Sequence, residues 1–187
     1  LRDIIQNEYL VNSDKVKEFN EIPEGSEALI FKELLSSSDR DIIIISRDLK
    51  RYQQLKDSIE FFLEKNILFF PQWDCIPYDR ISPNKSITSK RLETLSSLAE
   101  GGRPNKIILA TIQSSFQRTL AVDEIKDKSL NLKPGQVLNV DDLLLFFVNN
   151  GYSKVGTVRE YGEFSLRGGI IDFYSPVSYT HLRAHET

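Results

Sequence analysis

Three short apolar runs mark the first half of the chain: Ile42-Ile-Ile-Ile45, Ile67-Leu-Phe-Phe70 and Ile107-Ile-Leu-Ala110. Each is unbroken rather than alternating, which predicts strands covered on both faces. Between the first two, Leu49, Tyr52, Leu55, Ile59, Phe62 and Leu63 recur at helical spacing over residues 48–65. Ser46 is the expected N-cap there, and Asp48 suits the positive end of the helix dipole. A second helix is expected over residues 89–100, with Leu92, Leu95 and Leu98 in line and Gly101-Gly102 ending it. An earlier helix over residues 26–36 completes the unit. Strand, helix, strand, helix, strand predicts a parallel sheet joined by right-handed crossovers.

Beyond about Thr119 the periodicity changes. Leu130-Asn-Leu-Lys-Pro-Gly-Gln-Val-Leu138 predicts a strand, a Pro-Gly turn and a strand. Asp141-Asp142 opens a short helix through residues 143–148, with Gly151 as its stop. Residues 155–159 and 164–174 are strand candidates joined around Tyr161-Gly162-Glu163. The fold class is therefore α/β: a RecA-like parallel-sheet domain over residues 1–119, then a small α+β domain over 120–168. Residues 169–176 start the return to the first domain.

Composition narrows the function. With 187 residues, 40% hydrophobic and 27% charged, the chain has ordinary globular make-up. A net charge of -3 argues against a nonspecific nucleic-acid binder, which needs a basic excess. Cys75 stands alone, excluding an internal disulfide or a CxxC metal pair and fitting a reducing cytoplasm. No apolar run approaches the ~20 residues of a membrane-spanning helix. The lack of any Met reads as a piece of a longer protein. Both histidines, His181 and His185, fall in residues 177–187, which resemble translated adapter sequence and are set aside. Their spacing suits two imidazoles on one helix face, but no third metal ligand accompanies them.

A parallel sheet of this kind invites a search for a phosphate-binding loop, where backbone amides and a Lys hold phosphate. The matching stretch is Ile22-Pro-Glu-Gly-Ser-Glu-Ala-Leu29. With Gly25 as the second glycine, Ser26 and Glu27 stand where Lys and Ser/Thr belong, and Asn20 replaces the first glycine. A carboxylate at Glu27, with Glu24 beside it, repels phosphate, and the transferring group loses its main counter-charge. The expectation is a degenerate P-loop fold with no catalytic residues and no cofactor. No His outside the tail supports a nucleophile triad. Asp141-Asp142 and Glu160/Glu163 read as a helix start and a turn rather than an acid/base pair.

Two blocks carry the remaining information. Phe69-Phe-Pro-Gln-Trp-Asp-Cys-Ile-Pro-Tyr-Asp79 is a rigid loop after a strand; from composition, Trp73 and Tyr78 either cap a sheet edge or serve a function. In the second block Arg159, Glu160, Glu163, Phe164 and Arg167 alternate charge and aromatic character. The two-residue strand period puts Ser165 and Arg167 on one face and Phe164 and Leu166 on the other. Arg167 is then either presented to a partner's carboxylate or paired with Glu163 on a solvated face.

The first block, with Ser82-Pro83 and Arg91-Leu-x-x-Leu95, and the second, Gly151-Tyr152 through Val158-Arg-Glu-x-Gly-Glu-Phe-Ser-Leu-Arg-Gly-Gly-Ile-Ile-Asp172, resemble the amino-terminal module of bacterial transcription-repair coupling factors. The similarity runs over about residues 20–176. It implies a UvrB-like adaptor that has lost its nucleotide site and docks UvrA through arginines of the second block. Arg167 matches the second arginine of UvrB's Phe-Arg-x-Arg-Gly pattern, and Ser165 stands where the first belongs. Lys154 and Arg159 are secondary contacts, and Glu163 orders the turn or meets a basic patch. RNA polymerase and DNA are implied as partners of other parts of the parent, an ATP-dependent translocase; no membrane or small-molecule substrate is implied. UvrB itself, a damaged-DNA-binding helicase subunit, is a poorer match, because there is no room after Phe70 for its tyrosine-rich hairpin. Lys85, Lys90, Arg91 and Arg103 are the basic residues available to DNA. A nucleotide-binding regulator without hydrolysis is the remaining alternative.

Overall fold

A computed structural model describes residues 19, 21–37, 39–63, 67–76, 80–101, 105–130 and 132–175. Asn20, Tyr78, Arg103 and the tail with His181 and His185 lie outside them. In chain order the elements are α1 (Glu27–Ser37), β1 (Ile42–Ser46), α2 (Leu49–Phe62), β2 (Ile67–Phe70), α3 (Lys85–Ala99) and β3 (Ile107–Thr111). There follow α4 (Ile112–Ser115), α5 (Val122–Asp127), α6 (Val140–Asn149), β4 (Ser153–Lys154), β5 (Glu163–Arg167) and β6 (Ile170–Phe173). Contacts group the chain into two units, Leu1–Trp73 with Gly101–Arg118, and Asp74–Glu100 with Thr119–Thr187. This grouping cuts across a boundary at residue 119, since α3 goes with the later residues.

In the first unit β1, β3 and β2 form a parallel sheet in the order β1-β3-β2. Ile43 and Leu68 both align with Ile108. Parallel neighbours cannot be joined by a tight turn, so α2 carries the chain between the two outer strands. Its apolar stripe, Tyr52, Leu55 and Ile59, packs with Ala28, Ile44, Ile107 and Leu109 into one core. Each such aliphatic side chain contributes about 1.5–3 kcal/mol on burial. The N-cap of α2 is Asp48, whose carboxylate accepts the Arg51 N–H at 2.7 Å. Ser46, expected to cap, donates its hydroxyl to the Ala110 carbonyl at 3.2 Å and is committed to the sheet. Full burial holds for β3 along its whole length. It fails for β1, where Ile43 is 67% and Ile45 54% exposed. An edge strand of identical residues reads like a central one in sequence.

In the second unit α3 packs against α5. Helix α3 begins four residues earlier than expected, because Asn84 accepts the Ser86 N–H and caps it. Its buried line is Ser89, Arg91, Thr94, Ser96 and Ala99, whereas Leu98 is exposed and Leu92 and Leu95 are half-buried. The leucine row is thus not the buried face. Residues 132–138 form no strand; Pro134-Gly135 makes a turn, with Gly135 at φ +81 and Val137 exposed. Without a neighbouring ladder the alternation there has nothing to pair with. Strand β4 is only two residues, and 155–159 is not the strand expected.

The stretch 164–174 is a hairpin rather than one strand. β5 and β6 pair antiparallel, with Arg167 opposite Ile170 and Phe164 opposite Phe173. Gly168 and Gly169, at φ +53 and +82, supply the positive φ at both central positions that a two-residue I′ turn requires. The residues around Tyr161 instead lead from β4 into β5, which pair parallel. Phe147 of α6 lies 5.2 Å from the Phe164 ring and 5.0 Å from Phe173, with Leu143 and Ile171 closing the core.

Phe147 is 2% exposed, so Phe147→Ala removes the centre of this cluster. Urea unfolding followed by circular dichroism is expected to show a loss of about 3–5 kcal/mol. Val137→Ala, at a 96% exposed position, is expected to leave the transition in place.

Candidate functional site

The loop ahead of α1 is closed on itself. Gly25, at φ +88, directs its N–H to Glu27 Oε2 at 3.0 Å. The other Glu27 oxygen is paired with the Arg51 guanidinium of α2, and the Gln54 amide donates to Glu24. Ser26 donates its hydroxyl to the Pro23 carbonyl at 2.6 Å. Glu27 also sits in the first turn of α1, where the dipole favours an anion. The amide that would face a phosphate is therefore bonded to the protein's own carboxylate. A unit negative charge about 4 Å from another costs about 4 kcal/mol at an effective dielectric near 20, and the lysine that would offset it is missing. Among the described residues no cluster of His, Cys, Asp and Glu is arranged to hold a metal.

The second candidate is the hairpin with its approach. Glu163 Oε2 accepts the N–H of Arg159 at 2.8 Å and of Glu160 at 2.9 Å. These two bonds hold its carboxyl below the ordinary value of 4.5. Glu163 therefore orders the turn, and the acid/base pairing with Glu160 has no geometry behind it. Glu160 is tied to Lys85 Nζ at 2.7 Å, a surface pair exposed on both sides. Tyr174 closes the base of the hairpin, its carbonyl accepting the Gly162 N–H and its own N–H donating to the Glu163 carbonyl.

The hairpin's two faces are unequal. Phe164, Leu166, Ile171 and Phe173 turn towards α6, as the two-residue period requires. On the other face Ser165 is 2% exposed, its hydroxyl donating to the Gly156 carbonyl at 3.3 Å. Ser165 is thus a buried residue with the Gly156 carbonyl on its hydroxyl. Arg167 stands exposed at the tip, bonded through Nη2 to Asp172 Oδ2 at 2.8 Å and not to Glu163. Lys154, which aligns with Phe164, and Arg159, whose N–H meets Glu163, are exposed at the other end of β5. Of the basic residues considered for DNA, Arg91 is 3% exposed, with burial lowering its guanidinium to about 10, and Lys85 is held by Glu160.

The same unit encloses a cavity of about 580 Å³, floored by Phe146, Phe147, Tyr152 and Phe173 with Leu92 and Ile125 on its wall. Its charged lining residues are Lys85, Glu100 and Lys128.

Residues 130–185 match the UvrB interaction domain, a span that includes α6, the turn at Glu163 and the whole β5–β6 hairpin. The chain is 33% identical over 145 residues to the transcription-repair-coupling factor of Rickettsia bellii, covering 77% of this chain and 13% of that protein. It is 30% identical over 161 residues to that of Staphylococcus epidermidis, and 28% over 147 to that of Escherichia coli. Those matches cover 85% and 79% of this chain and 13% of each relative. The chain carries the UvrB-like module of the transcription-repair-coupling factors. It spans only 13% of the length of these relatives. No helix among the described residues is long and apolar enough to cross a membrane.

Sequence reasoning missed Asp172 and Gly156, the partners of Arg167 and Ser165. The hairpin register that brings Asp172 beside Arg167 is signalled by Gly168-Gly169, a pair that favours a two-residue turn.

The Glu163 bonds carry a pH dependence. A carboxyl whose folded value is depressed adds stability above its unfolded value of 4.5 and loses it as pH falls through the folded one. Amide exchange at Arg159 and Glu160 is expected to quicken once pH drops below 4.5, and Glu163→Gln is expected to abolish that transition. NMR exchange rates across the titration check it.

Proposed function

We propose that this chain is a non-catalytic adaptor that recruits UvrA in transcription-coupled nucleotide excision repair. The observation that carries the reading is the UvrB interaction domain lying over a rigid hairpin that presents Arg167. Arg167 is its principal contact, with Lys154 and Arg159 as secondary contacts at the other end of β5. The covered hydroxyl of Ser165 speaks for a structural role there, and Glu163 shapes the turn. ATP hydrolysis, DNA tracking and engagement of RNA polymerase belong to the remainder of the longer protein, whose relatives are transcription-repair-coupling factors. A planar guanidinium fixed on a sheet suits a carboxylate on the partner, because two parallel N–H bonds form with little ordering cost.

The alternative of a nucleotide-binding regulator needs a loop free to take phosphate. The Glu27 carboxylate on the Gly25 N–H, with Arg51 already engaged, argues against it.

Arg167→Glu is expected to weaken binding to purified UvrA by at least about tenfold in biolayer interferometry, with the melting temperature unchanged. Equal affinity of variant and wild type contradicts the assignment. Labelled ATP with Mg²⁺ is expected to give no saturable binding, whereas micromolar saturation supports the regulator.

A further inference from the structure

The hairpin tip holds one ion pair whose purpose is not evident from stability. Arg167 and Asp172 are 59% and 28% exposed at their side chains, and such surface pairs contribute about 0–1 kcal/mol. Asp172 is also oddly placed for a mere surface charge. It stands directly opposite Ser165, whose side chain is covered by the segment at Gly156. Its own carboxylate is thus rooted beside a buried position on one side and reaches diagonally to Arg167 on the other. The I′ turn at Gly168-Gly169 leaves the register no freedom to slip, so the Asp172–Arg167 diagonal is set by the backbone.

We infer that Asp172 is a positioning residue: it fixes the Arg167 guanidinium so that the rest of its fork faces a partner that presents a carboxylate beside an apolar side chain. This rests on the UvrA-docking reading above. The apolar half of that match is Ile170, which lies directly across from Arg167 and is 39% exposed while its neighbour Ile171 is 1% exposed. Asp172 takes one Nη2 N–H, and the guanidinium retains donors enough for a bidentate contact. Holding a long side chain in its bound rotamer removes an ordering cost otherwise met on binding. The opposing effect is that Asp172 partly neutralises Arg167 and competes with the partner's carboxylate. Positioning and competition have opposite signs, which makes the inference testable.

The test uses the full 187-residue chain with purified UvrA, comparing wild type, Asp172→Asn, Arg167→Ala and the double variant. Asp172→Asn is expected to weaken UvrA binding about 3- to 10-fold, the scale of losing one pre-ordered side chain, and to leave the melting temperature in place. In the Arg167→Ala background the same change is expected to have no effect, and Asp172→Glu is expected to restore part of the loss. Independently of UvrA, the Arg167 Nη2–H resonances are expected to exchange faster with water in Asp172→Asn. Unchanged or tighter binding by Asp172→Asn, an equal loss without Arg167, or an unaltered Nη2–H signal overturns the positioning role. Full affinity in Arg167→Ala instead overturns the docking reading on which it rests.

Discussion

The Glu27 carboxylate, bonded at once to the Gly25 amide and the Arg51 guanidinium, is the constraint on which the functional account depends. In a phosphate-binding loop that amide and a nearby cation are left for the ligand. Here both are satisfied from within, by the first residue of α1. The two contacts form an internal clamp joining the start of α1 to α2. What remains of the parallel sheet is a packed scaffold whose central strand β3 is buried throughout.

The family match falls on the second unit, and the surface that bears on recognition is there. There the geometry is governed by a small aromatic core under a tight hairpin. Phe147 contacts Tyr152, Phe164 and Phe173 within about 5 Å, which fixes one face of β5 and β6 and leaves the other to present charge. Glu163 holds the turn that leads into β5, and Gly168-Gly169 close it at the far end. Arg167 is therefore displayed on a platform braced at both ends. Rigidity of this kind suits recognition, because the cost of ordering the contact has been met in folding.

The parts legible in sequence were those set by local physics. Unbroken apolar runs located all three parallel strands, the 3.6-residue spacing located α2, and the Asp141-Asp142 start with the Gly151 stop located α6. Ser26 and Glu27 could be read from the sequence at the positions where a phosphate loop carries Lys and Ser/Thr, but the bond from the Gly25 amide to Glu27 could not. Features set by long-range partners were not legible. Ile43 and Ile45 read like Ile108 and Leu109, and only the sheet order distinguishes the edge strand from the centre. Arg91 looked like a surface cation on α3 and is buried, while Leu98 looked like core and is exposed. Ser165 was placed on the right face by strand period, but Gly156, whose carbonyl its hydroxyl meets, is nine residues away and carries no pattern. Helix α5 is a single short turn stabilised by Glu124 accepting the Ala121 N–H, too brief for periodicity to register.

Hydrogen–deuterium exchange on the chain, with UvrA and separately with Mg-ATP, tests the central claim most directly. The account predicts that UvrA protects residues 163–173 and that Mg-ATP leaves residues 21–30 unchanged. Protection of 21–30 by Mg-ATP, with the hairpin indifferent to UvrA, would contradict it.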